Sequence, residues 1–116
     1  MNFRITTLIT LSALLFGCAS TPSARFTGDS SADSVLRNDV LGNVRMLFKA
    51  QNGCDSIESV NTRMGVTRKS DNGKVLGHAE LWTVNGCGKS VNYDIGMIPD
   101  SKGETDFSVV RSKTQP

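Results

Sequence analysis

One histidine, one tryptophan and one tyrosine in 116 residues leave little material for chemistry. With His78 as the only imidazole, a metal centre of several histidines is excluded, and a site made from Cys54, Cys87 and His78 would have to keep both thiols unbonded. Long apolar runs are missing as well. The longest, Ile5 to Phe16, has about a dozen positions diluted by Thr6, Thr7, Thr10 and Ser12, whereas a spanning helix needs about 20. No charge of one sign is in excess: 13 Lys and Arg face 11 Asp and Glu, which gives no electrostatic footprint for nucleic acid. A glycine-rich phosphate loop is lacking too, since Lys74 follows the single Gly73 and opens no helix.

What is present begins with an address. Arg4, the apolar stretch Ile5 to Phe16, and the small residues Gly17 and Ala19 around Cys18 have the parts of an export signal. Leu15-Phe16-Gly17-Cys18 resembles the lipobox of bacterial lipoproteins, with Phe16 bulkier than the residue usual at its place. The resemblance implies cleavage before Cys18, diacylglycerol on its sulfur and an acylated α-amino group, a multi-chain anchor that holds stably in a bilayer. Ala19, where inner-membrane lipoproteins often carry Asp, implies delivery to the outer membrane with the domain facing the periplasm. An ordinary secretory signal that happens to contain a cysteine is the alternative.

Removal of residues 1–17 takes Arg4 away, leaves 12 basic against 11 acidic residues, and leaves room for one small domain. The following stretch, 18–33, is rich in Ser, Thr, Ala and Asp with no apolar period, which predicts a lipidated flexible tether in which Phe26 is the only large apolar residue. From Ser34 the spacing becomes helical. Leu36, Val40, Val44, Leu47 and Phe48 fall on one stripe, with Asp33 or Ser34 as N-cap and Gly53 as the terminating residue. Gly42 inside this helix points to a close approach by the sheet.

After Ile57 the period is two. Strands are predicted over about Ile57–Arg68, Val75–Val84, Ser90–Ile98 and Thr105–Val110, with a two-residue Asn72-Gly73 hairpin turn between the first two. Val60, Thr62, Met64 and Val66 share one face, as do Trp82 with Val84, and Val91, Tyr93, Ile95 and Met97. Residues 112–116 read as a frayed, disordered tail. The expected fold is α+β over residues 34–111: one N-terminal amphipathic helix on a four-stranded antiparallel meander.

With Cys18 assigned to lipid, Cys54 and Cys87 remain as an even pair in an oxidising compartment. The Asn72-Gly73 turn sets Asp71 opposite Lys74 and carries Cys87 to a position opposite Glu58, close in sequence to Cys54. A Cys54–Cys87 disulfide is expected, intermolecular pairing being the alternative.

The residues Gln51-Asn52-Gly53-Cys54, Trp82-Thr83-Val84-Asn85-Gly86-Cys87-Gly88, Tyr93, Pro99-Asp100 and Thr105-Asp106-Phe107 together make the chain similar to small proteobacterial envelope proteins of unknown function. The similarity covers about Phe48 to Val109. It implies the disulfide and the meander, and no activity.

Candidate chemistry is sparse. His78 and Glu80 share a face with Trp82 and suit either an acid–base pair or a polar edge beside a core tryptophan. Asp100 and Glu104 sit in a glycine-containing loop, Asp94 and Asp106 lie on strands, and Ser90 beside Lys89 has no base at a recognisable spacing. Arg63, Arg68, Lys69 and Lys74 surround a predicted hairpin tip as solvated strand ends. No catalytic residue, metal or cofactor is assigned. The expectation is a non-enzymatic, lipid-tethered module that meets another envelope protein. Inhibition of a lysozyme or other cell-wall hydrolase is the second reading, for which Ser90-Val91-Asn92-Tyr93 is a faint echo of the lysozyme-inhibitor lipoproteins.

Overall fold

The computed structural model describes residues 24–116, so the signal segment, Cys18 and the first part of the tether lie outside the described residues. Six elements follow in order: β1 (Arg25–Gly28), α1 (Ser34–Asn52), β2 (Ser59–Lys69), β3 (Val75–Gly86), β4 (Lys89–Pro99) and β5 (Thr105–Arg111). They form one five-stranded sheet in chain order, antiparallel except for the parallel pair β1 and β2. The helix is the crossover that a parallel pair requires, and it packs on one face of the sheet.

The helix begins and ends where its capping residues stand. Asp33 Oδ1 accepts the Leu36 N–H at 2.8 Å, and Gly53, at φ 65°, donates its N–H to the Lys49 carbonyl at 2.8 Å. Val40, Leu41, Val44 and Phe48 are buried, and Leu36 and Leu47 are partly so. Gly42 does not mark a close approach. It is exposed, and a Cβ built on it would meet nothing within 4 Å. Opposite the helix, the inward positions of alternating strands supply Val60, Trp82, Val84, Val91, Tyr93, Ile95 and Met97, all buried.

Residues 24–33, expected to belong to the tether, are built into the domain. Arg25 to Gly28 pair in register with Ser59 to Thr62, and the Phe26 ring stands edge-on to Trp82 with centroids 5.4 Å apart. Arg37 lies over the Phe26 ring, 4.6 Å from its centroid. A four-residue strand with one apolar side chain carries no readable period; tertiary packing of Phe26 makes it a strand.

The tail expected over 112–116 is also held. Ser112 N–H donates to the Asn92 carbonyl, and the Gln115 side-chain amide pairs with the Asn92 backbone in both directions at 3.0 Å, imitating one bridge of a sheet beyond the end of β5.

Turn chemistry departs from expectation at the first hairpin. Ser70 and Lys74 flank a three-residue loop in which only Gly73, at φ 83°, is left-handed. The Lys74 N–H bonds to Ser70 Oγ and Asn72 Oδ1, which favours this wider turn over the two-residue one. The two-residue loop with both φ positive stands between β3 and β4 instead, at Cys87 (φ 51°) and Gly88 (φ 70°). Between β2 and β3 the expected register holds at Thr67 opposite His78 and slips by one at Met64 opposite Glu80. The slip sets Cys87 level with Ile57 instead of Glu58. Met64 keeps to the helix side, opposite Glu80, yet is exposed, because strands of 11 or 12 residues run about 35 to 40 Å while a 19-residue helix covers about 28 Å. Val66 is turned by the slip to the other face and is exposed there.

Candidate functional site

Three groupings hold most of the polar chemistry. At the proximal end, Cys54 and Cys87 are joined in a disulfide with Cα atoms 6.0 Å apart. Gly86 lets the turn reach the loop before β2, since a Cβ there would lie 2.1 Å from the Ser56 carbonyl oxygen. Lys89 Nζ donates to the Asn52 carbonyl at the end of α1, so helix, turn and bridge are gathered at one end of the sheet.

The second grouping is the buried carboxylate of Glu80. It accepts the Ser30 hydroxyl on both oxygens, the Ser31 N–H at 2.6 Å, the Ser31 hydroxyl at 3.0 Å and the Trp82 indole N–H at 2.9 Å. Glu80 thereby ties the β1–α1 connection to β3. Its acceptor positions are taken up by these donors, as burial of a carboxylate demands. His78 turns elsewhere, with its Nδ1 3.1 Å from Thr67 Oγ1, and no hydrogen bond joins it to Glu80. The acid–base pair is not assembled. Tyr93, also buried, donates its hydroxyl to Gln51 Oε1 at 3.1 Å; burial pushes its pKa above the usual 10.0, partly offset by the positive charge of Arg111.

Asp100 Oδ1 accepts the backbone N–H groups of Lys102 and Glu104, which fixes the β4–β5 turn. Ser90 is exposed at the start of β4. Among the described residues no three His, Cys, Asp or Glu side chains converge as a metal site, and no helix is long and apolar enough to cross a membrane.

The third grouping is the sheet face opposite α1. Side chains alternate along β3, so Gly77, Ala79 and Leu81 point away from the face that carries Glu80 and Trp82. Cross-strand pairing arranges this second face in rows. Arg63, Leu81, Asp94 and Val110 lie side by side on β2 to β5, and Ala79, Gly96 and Ser108 form the next row, with Gly65 packed against Ala79. Arg68 pairs with Gly77, whose neighbour on β4 is Ile98, itself paired with Asp106. Val66, Leu76 and Ile98 wall a groove of about 340 Å³ floored by Gly77, Ala79 and Gly96. Val66 is 70% exposed and Ile98 59%. No element among the described residues covers this face.

Of the residues singled out from the sequence, the structure brings together Cys54 with Cys87, and Glu80 with Trp82. It separates His78 from Glu80 and distributes the basic cluster, with Arg63 and Arg68 at different heights of the uncovered face. Ser30 and Ser31 carried no signal beyond their place before a helix cap, and the charged rows were hidden until the register was known. No family model, no curated protein and no solved structure matches this chain.

Proposed function

We propose that the chain is an outer-membrane lipoprotein anchored through Cys18, whose periplasmic domain is a non-catalytic interaction module working through the sheet face opposite the helix. The observation that carries this reading is the groove of Val66, Leu76 and Ile98. A small domain that leaves large aliphatic side chains contiguous and exposed on a flat sheet has a surface suited to another protein. The occupied acceptors of Glu80 and the isolation of His78 support binding over catalysis.

The lipobox resemblance of Leu15-Phe16-Gly17-Cys18 supports the anchor, and the Cys54–Cys87 disulfide suits an oxidising compartment. Replacing Cys18 with Ala tests the anchor. The wild-type chain should float with outer-membrane vesicles and resist salt extraction, while C18A should move to the soluble periplasmic fraction with an unchanged melting temperature. Retention of a folded C18A in the membrane would defeat the anchoring.

A further inference from the structure

The uncovered face is self-complementary in charge about β3, and we propose that its partner is a second copy of this chain, packed face to face about a two-fold axis running along β3. This rests on reading that face as an interaction surface. The face is basic on the β2 side, through Arg63 and Arg68, apolar or small in the middle, through Gly77, Ala79, Leu81 and Gly96, and acidic on the other side, through Asp94 and Asp106. Arg63 and Asp94 are both exposed, with Leu81 between them in the same row.

A two-fold axis along β3 exchanges the two sides without changing height. It lays β2 of one copy over β4 of the other, so Arg63 meets Asp94 of the second copy, twice, while Leu81 meets Leu81. In the distal row the stem of Arg68 lies over Ile98 of the second copy and its head reaches towards Asp106. Packed sheets rotate by about 30° relative to each other. At one strand spacing from the axis, about 5 Å, that rotation displaces a side chain by about 3 Å, within the span of an arginine. Gly77, Ala79 and Gly96 near the axis let the two backbones approach. The perpendicular axis in the same plane would instead stack β2 on β2 and bring arginine against arginine, so the charge pattern selects one arrangement.

Three rows about 7 Å apart on four strands about 5 Å apart give a patch on the order of 400 Å² per copy. Burying it twice falls below the range of stable interfaces. The association is therefore weak and reversible in solution, and stronger where copies are held at high local concentration.

The test is disulfide trapping in the full chain, expressed in its own envelope and mildly oxidised. Leu81→Cys is expected to give a covalent homodimer on a non-reducing gel, and Ala79→Cys the same, whereas Met46→Cys on the outer side of α1 should not. In the Leu81→Cys background, Arg63→Asp or Asp94→Arg alone should lower the dimer yield by about tenfold or more, since like charges then face each other. The two reversals together should restore it. Absence of a homodimer from both cysteine variants, or a yield indifferent to the charge reversals, overturns self-pairing. Trapping of a different protein at position 81 also overturns self-pairing but leaves the interaction surface standing; no adduct from a photocrosslinking residue placed at position 81 removes both.

Discussion

Glu80 is the residue on which the N-terminal third of the domain depends. Its carboxylate is buried and is held by hydrogen bonds from Ser30, Ser31 and Trp82. Truncation to Ala leaves the buried indole N–H without an acceptor, at about 1 to 3 kcal/mol, while the N–H of the exposed Ser31 can turn to water. Glu80→Ala should therefore lower the stability measured by urea unfolding by about 1 to 3 kcal/mol. Tyr93 adds a pH dependence of definite sign. Burial raises its folded pKa above 10.0, so the native state holds the phenolic proton more tightly than the unfolded chain does. The stabilisation is fully present below pH 10.0 and is lost as pH rises through the higher folded value. Tyr93→Phe should flatten the fall in melting temperature above pH 10.0, and an unchanged alkaline fall would assign it to other groups.

At the scale of elements, the helix and the four-stranded meander were legible because each satisfies its own local rules. Asp33 caps, Gly53 terminates, and the stripe from Val40 to Phe48 repeats at helical spacing. The alternation of Val91, Tyr93, Ile95 and Met97 reads as a strand for the same kind of reason. What was not legible depends on contacts distant in sequence. The strand β1 exists because Phe26 finds Trp82 and Arg37, and the tail is fixed because Gln115 finds Asn92. The slip in β2, which turns Val66 to the other face of the sheet, arises from an irregularity that alternation alone does not reveal. Gly42 shows the reverse case, a residue read as meaningful that has open space around it. Gly42→Ala should stabilise the domain by about 0.5 to 1 kcal/mol through helix propensity and a less entropic unfolded chain, seen as a higher urea midpoint with unchanged slope.

At the scale of the molecule, two features set its character: a cross-link that holds a small core together, and a sheet with one face left open among the described residues. The bridge spans 33 positions, from the end of the helix to the β3–β4 turn. In the chain-entropy picture it contributes about 3 to 4 kcal/mol, a large part of the 5 to 15 kcal/mol typical of a domain. Guanidinium unfolding of the Cys54→Ala/Cys87→Ala double variant should show a loss of that size, and a loss under about 1 kcal/mol would mean that the helix and sheet hold without it. The open face is where we propose that the domain meets its partner. It is most directly tested by a photocrosslinking amino acid at position 98, on that face, against one at position 46, on the outer side of the helix, in the full chain within its native cells. Adducts from position 98 and none from position 46 are the expected result; adducts confined to position 46, or none from either, would contradict it.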